Sequence, residues 1–225
     1  MQGTLVNVLA VVAGSLIGMF AGDKMPDRYK SIVLATLGLG TILIGLKLAL
    51  LTQHLSLVLA ALLLGAITGT ALNLDGRLNR LAQWLSSLAN QESPTFVTGF
   101  VSASLLFCVG PMTIVGSIQD GSIGDHTLLY TKSLLDFFAA TALASSLGIG
   151  VLFSAITVLI MQGGLTLGGR YLGALTEGVL IDEMSAVGGL MIVAIGLHLL
   201  DIRKLPLANL LPGLVIIVPL VLLFA

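Results

Sequence analysis

Eight apolar runs, at about 4–21, 31–51, 55–73, 95–118, 127–147, 149–169, 184–200 and 205–224, take up most of this chain. Each is close to the ~20 residues with which an α-helix crosses a ~30 Å hydrocarbon layer. Inside a bilayer no water is present to bond backbone N–H and C=O groups, so such runs must close their hydrogen bonds within helices. The pattern therefore predicts an all-α polytopic membrane protein of about eight transmembrane helices, one integral domain over 1–225. Composition removes the alternatives. Charged residues are 9% of the 225, too few to cover a water-facing surface, and the high apolar content excludes disorder. A formal charge of -1 without a basic stripe predicts no nucleic-acid partner. The first run, Leu5 to Ala21, is longer than a signal h-region and reads as a retained span.

Basic residues set the expected orientation, because they are retained on the cytoplasmic side. Lys24, Arg28 and Lys30 follow the first run, Arg77 and Arg80 the third, and Arg203 and Lys204 the seventh. These odd-numbered loops hold seven of the ten Lys and Arg, against Lys47, Lys132 and Arg170 elsewhere. They are expected in the cytoplasm, with both termini outside. The fifth and sixth runs meet at Gly148-Ile149-Gly150, as a hairpin or as one kinked helix that would reduce the crossings to seven. The hairpin is favoured, since together they are twice the length of one crossing.

Between the third and fourth runs, about 75–90, Leu78, Leu81, Leu85 and Leu88 recur at helical spacing beside Trp84, with Arg77, Arg80, Gln83 and Ser87 off that face. This predicts an interfacial helix at the cytoplasmic headgroups.

The chain also aligns weakly with itself at an offset of about 150. Gly14 and Gly18 fall on Gly164 and Gly168. One residue of slip places Gly38 on Gly189 and Gly45-Leu46-Lys47-Leu48 on Gly196-Leu197-His198-Leu199. Repeat A (about 4–73) then maps onto repeat B (about 149–224), around a central segment of about 95–147. Counterparts differ by five in order and cross in opposite directions, the inverted-topology repeat of many secondary transporters. Gly14, Gly18 and Gly22 form a small-xxx-small stripe that permits close helix packing, within the chain or as a homodimer seam. Pairs at Gly163-Gly164 and Gly168-Gly169 suggest an unwound or broken sixth span.

Chemistry concentrates in the fourth and fifth runs. Gly110-Pro111 predicts a break midway through the fourth, because proline lacks the N–H and glycine admits unusual dihedrals. The second half-helix would begin at Pro111 with its positive dipole end deep in the membrane, and Thr113, Ser117 and Gln119 would supply polar side chains. In the fifth run Lys132 and Asp136 are spaced i, i+4 and can pair on one face. A charge at the bilayer centre costs about 2.5–3.5 kcal/mol, so retaining two argues for a polar cavity, an ion path or a buried pair. Gln162 approaches from the sixth run, and Asp120 flanks the outer loop with Asp125. Asn7, Glu183 and Ser185 are further polar candidates, while Glu177 and Asp182 read as solvated. Lys47 and His198 lie near span ends, where snorkelling accounts for them. His54 and His126 fall in loops, and no two histidines share ligand spacing, so neither metal nor cofactor is expected. No nucleophile motif is present, and an enzyme is not expected.

The stretches Leu106-Phe107-Cys108-Val109-Gly110-Pro111-Met112, Ile114-Val115-Gly116-Ser117-Ile118-Gln119-Asp120-Gly121, Lys132-Ser133 with Asp136, and Val187-Gly188-Gly189 resemble the YdfK/YqgA-type family of uncharacterised bacterial inner-membrane proteins. The resemblance runs over the whole chain. It implies a polytopic inner-membrane protein and adds no mechanism.

These readings converge on a transporter of a small ion or small solute, with a midplane site formed by Asp136, Lys132, Gly110, Pro111, Thr113, Ser117, Gln119, Asp120 and Gln162. Asp136 would be the ion- or proton-responsive carboxylate and Lys132 its partner. The alternatives are a passive ion channel and an assembly protein without transport activity.

Overall fold

The computed structural model describes every residue except 23–25, 90–93, 173–177 and 225. Lys24 and Glu177, used above, lie outside the described residues. Among the described residues the chain forms helices and no strand. In order these are α1 (Gln2–Gly22), α2 (Asp27–Ala49), α3 (Leu55–Ala71), α4 (Leu74–Leu88), α5 (Pro94–Val109), α6 (Pro111–Ser122), α7 (Thr127–Leu147), α8 (Gly150–Leu172) and α9 (Gly178–Leu199). A 3-10 turn (Leu207–Leu210) then leads into α10 (Pro212–Phe224).

Five of the described helices are long and apolar enough to cross a membrane alone: α1, α2, α8, α9, and α10 with its preceding turn. Two bent pairs, α3 with α4 and α5 with α6, raise that to seven. The remaining run, α7, equals α1 in length at 21 residues each. Lys132 and Asp136 make it the less apolar of the two.

Close approaches fix how the helices run. Gly14, Gly18 and Gly22 of α1 lie against Phe137, Thr141 and Ser145 of α7, so these two are parallel. A Cβ at position 18 would stand 2.2 Å from the Thr141 carbonyl oxygen, so only glycine fits there. Of the two uses the stripe allows, packing within the chain or a homodimer seam, Gly14, Gly18 and Gly22 serve the first, with α7 covering them. Pairing of Thr4 with Thr166 and of Asn7 with Gln162 sets α8 antiparallel to α1. The fifth and sixth runs are therefore a hairpin, and α7 ends at Gly148 with φ +72.

Gly38 meets Gly196, and Gly45 meets Gly189, so α2 and α9 cross antiparallel. Gly65 against Gly213 and Gly69 against Asn209 do the same for α3 and α10. The starts of α1, α3, α7 and α9 thus share one end of the bundle, here the Met1 end. The opposite end carries α4, Arg28, Lys30, Arg203 and Lys204.

Three local expectations need correction. The glycine pairs of the sixth run do not unwind it, since α8 is continuous over Gly150–Leu172; an unbroken ladder leaves no backbone group to be satisfied in lipid. Gly110 adopts φ -70, ψ 149, ordinary extended backbone open to any residue, and a Cβ there would meet nothing within 4 Å. The break follows from Pro111 alone, which bars helical geometry from the residue before it and starts the next helix. The leucine face of α4 is split. Ala82 and Leu85 are buried against α5 with Leu78 packed beside them, whereas Leu81, Trp84 and Leu88 face outward. α4 is bent 59° from α3, at Asn73, whose φ is +49.

Candidate functional site

On a helix Lys132 and Asp136 fall one turn apart, and in lipid neither can shed its charge into water. Their side chains form an ion pair on α7, both buried. Asp136 Oδ2 also accepts a hydrogen bond from Asn7 Nδ2 of α1 at 2.9 Å. The second proton of that amide goes to Gln162 Oε1 of α8, again at 2.9 Å. Because the carboxylate can only accept here, it fixes which way the Asn7 amide points. Asn7 Oδ1 and Gln162 Nε2 are left buried and unpartnered among the described residues. One turn nearer the Met1 end, the Thr4 and Thr166 hydroxyls share a 3.0 Å bond, and Thr166 Oγ1 donates to the Gln162 carbonyl at 2.9 Å. Three helices thus converge on one carboxylate through six polar side chains, and Asn7 and Gln162 are fully buried. Toward the α4 end the same helices offer Val11, Ala140, Leu143, Ala155 and Val158, all buried and apolar.

Lys132 has a second neighbour. Its Nζ lies 5.9 Å from the centre of the Phe107 ring on α5, at the outer limit of a cation–π contact. Phe107 stands just before the break, where α5 and α6 meet at 58°. Thr113 Oγ1 donates to the Phe107 carbonyl oxygen at 2.8 Å, restoring part of the bonding that the break removes. Thr113 is thereby committed to the backbone and not to a solute.

Of the residues assigned to the site from sequence, the structure brings Asp136, Lys132 and Gln162 together and adds Asn7, Thr4 and Thr166. Gly110 and Pro111 form the break beside them. Ser117 is fully buried with an unpartnered hydroxyl, and Gln119 is half-buried. Asp120 belongs to a separate cluster at the Met1 end, where its Oδ1 lies 2.9 Å from the Met1 amine and 2.7 Å from His126 Nδ1. The latter approach is close without the alignment of a hydrogen bond. Glu183, a third buried carboxylate singled out, is structural: it accepts the Gln53 and His54 amides at 2.7 and 2.9 Å just ahead of α3. A cavity of about 640 Å³ opens at the α4 end between α1, α5 and α7, lined in part by Met19, Lys30, Ser145 and Ser146. It does not reach the ion pair.

A family described as "Protein of unknown function (DUF554)" matches residues 2–222. The chain belongs to this family. It is 32% identical over 222 residues to the "Uncharacterized membrane protein YdfK" of Bacillus subtilis (strain 168), covering 96% of this chain and 93% of that protein. It is also 32% identical over 223 residues to the "Uncharacterized protein YqgA" of Escherichia coli (strain K12), covering 97% and 95%. No solved structure matches. With the apolar helices, the likeness to YdfK identifies a membrane protein.

Proposed function

We propose that this protein is a transporter of a small ion, with Asp136 as the responsive carboxylate and Lys132 as its counter-charge. One observation carries the reading: an ion pair and two amides from α1, α7 and α8 are buried together in a bundle whose outside is apolar. Packing needs none of these groups, since glycines bring α2 against α9 and α3 against α10 without them. Each intramembrane charge costs about 2.5–3.5 kcal/mol to insert. A protonated or cation-bound Asp136 would free the Lys132 ammonium, which has the Phe107 ring as its second partner. One binding event at a single carboxylate therefore changes what holds three helices together. The site is sealed as it stands, which suits an occluded state and an ion rather than a bulky solute.

We further propose the inverted repeat and eight crossings, with α7 among them. Support comes from the α2–α9 crossing. In the self-alignment Gly38 corresponds to Gly189 and Gly45 to Gly196, so the contacts 38–196 and 45–189 exchange with one another. Reciprocal contacts of this kind mark a two-fold axis. A Cβ at Gly45 would lie 2.6 Å from the Gly189 oxygen, and one at Gly189 would lie 2.6 Å from the Gly45 oxygen. α1 packs on α8 and α3 on α10, the other two counterpart pairs. Since Lys132 is buried and in no loop, the α4 end keeps most of the loop-borne positive charge. That end is assigned to the cytoplasm of a bacterial inner membrane, with both termini outside. A cysteine introduced as Gln2→Cys should then react with impermeant reagent from outside only. Labelling from the cytoplasm would overturn the orientation.

The decisive test is flux into proteoliposomes, with Na⁺, K⁺, H⁺ and Cl⁻ as probes. Asp136→Asn, and Lys132→Met/Asp136→Asn as a folded control without the lone ammonium, should both lose a saturable flux that wild type sustains. Undiminished flux in the folded double variant would remove Asp136 from the site.

A further inference from the structure

By sequence Asp120 flanks the outer loop and joins the expected site, and His126 is a loop residue. In the structure they meet where α1, α6 and α7 converge, and Asp120 is fully enclosed at its side chain while His126 keeps 26% exposure. α1 links this cluster to the carboxylate of α7. Met1, Thr4 and Asn7 are spaced i, i+3, i+6, and each bonds a polar group on another helix: Asp120, Thr166, and then Gln162 with Asp136. The ladder climbs six residues of helix, roughly 9 Å. Three buried atoms along it have no protein partner among the described residues: Asp120 Oδ2, Asn7 Oδ1 and Gln162 Nε2. Two are acceptors and one is a donor, which is what water needs in order to bridge. Toward the α4 end the next buried polar side chains on these helices, Ser15, Ser154 and Ser145, stand eight or nine residues beyond Asn7, Gln162 and Asp136, with buried Val11, Ala140, Leu143, Ala155 and Val158 in the gap, so the ladder ends at Asp136.

We propose that the Asp120–His126 pair is a proton-exchange site at the outer mouth of a hydrogen-bonded path ending on Asp136, and that the proton is the ion this site handles. This rests on the transporter reading above. A proton needs no cavity, only hydroxyls and bridging water; the ladder holds the Thr4 and Thr166 hydroxyls 3.0 Å apart and leaves three unpartnered atoms that water would bridge. His126 takes a proton from outside and, once its ring rotates to bring Nδ1 into line with Asp120 Oδ1, 2.7 Å away, passes it on and returns to the neutral imidazole. Asp120, briefly the acid, gives it up through water to the Thr4–Thr166 hydroxyls, and a second water at Asn7 and Gln162 delivers it to Asp136. The Lys132 ammonium then loses its counter-charge. Around Asp120 the groups in play are the Met1 amine from α1, His126 from the turn before α7, and Thr166 of α8, whose backbone touches Gly121. His126 also faces the Tyr130 ring, 5.9 Å between centres.

The test uses the full chain in liposomes holding a pH-sensitive dye, with an imposed potential and parallel Na⁺ and K⁺ measurements. Wild type should move protons. His126→Ala and Thr4→Val should each slow that flux about tenfold or more, at the low end of what positioned proton-transfer groups contribute. Thr4→Ser, which keeps the hydroxyl, should restore it, and His126→Ala should lose an inflection in the pH profile. Asp136→Asn should abolish flux. If Asp136→Asn stops proton flux while folded His126→Ala and Thr4→Val do not slow it, the path is wrong and the site survives. If wild type moves Na⁺ or K⁺ but no protons, and Asp136→Asn stops that movement, the proton assignment falls alone. Unaltered flux in Asp136→Asn overturns both readings.

Discussion

The α2–α9 crossing and the α1–α7–α8 junction hold helices together in lipid by opposite chemistry. At the first, Gly38, Gly45, Gly189 and Gly196 bring two backbones into contact, and dispersion does the work. Those four positions carry nothing that can titrate, so the contact has one energy under all conditions. At the second, the carboxylate of a buried ion pair accepts the Asn7 amide, which in turn bonds Gln162, and adding one proton rewrites the bonding. A protein that moves against itself needs both, a fixed axis and a junction whose strength can change. The glycine crossing suits the axis, and the polar junction suits the moving part.

Removing half of the ion pair should give the largest effect. Lys132→Met strands the Asp136 charge with only the Asn7 amide, and breaking a buried pair in this way costs about 3–5 kcal/mol. The double variant Lys132→Met/Asp136→Asn should recover most of that loss, seen as a return of the melting temperature in detergent. If Lys132→Met melts with wild type, the two charges are not coupled and the contrast between the junctions disappears.

The glycine crossing should be next. A Cβ on Gly189 would stand 2.5 Å from the Ala49 nitrogen and 2.6 Å from the Gly45 oxygen, both backbone atoms that cannot swing aside. Gly189→Ala should therefore destabilise by about 1–3 kcal/mol, the usual range for overpacking. Gly40, between Gly38 and Gly45 on α2 but exposed, has nothing within 4 Å of its would-be Cβ. Gly40→Ala should be neutral or stabilising by up to about 1 kcal/mol, the helix-propensity difference. Equal losses at both positions would mean that backbone contact is not what singles out Gly189.

The two junctions also differ in how far the sequence exposes them. Apolar run length alone predicts the helices, and the Lys132/Asp136 spacing predicts the pair, because both are local. Gln162 was legible as a polar residue in an apolar run. Asn7 stands out as polar, but joining it to the site requires knowing that α1 packs on both α7 and α8. Thr4 and Thr166 do not stand out, because threonine is ordinary in a membrane helix until two of them face each other. The same applies to His126, which reads as a loop residue until α6 turns Asp120 toward it. Glycine spoke with less precision. The Gly163 and Gly168 pairs suggested a rupture that α8 does not have, and the stripe on α1 allowed either a neighbour in the chain or a second copy, of which α7 is the neighbour that sits there. A glycine permits close approach, but the sequence does not say what approaches.

The smallest effect separates the two carboxylates near and within α7. Asp136 is buried and held by side chains, whereas Asp125 is fully exposed in the turn ahead of the helix and accepts the Thr127 amide at 2.9 Å. That backbone bond, joined by the Thr127 side chain, holds the Asp125 carboxyl below its ordinary value of 3.8. A lowered folded-state value means the charged form favours the folded protein. Its contribution is complete above the ordinary carboxylate value and is lost as pH falls through the lower, folded one. Asp125→Ala should therefore melt slightly below wild type at neutral pH, and the two melting curves should converge as the solution is acidified past the carboxylate range. A gap that persists undiminished in acid would mean that Asp125 acts through something other than its charge, and that solvent exposure does not distinguish it from Asp136.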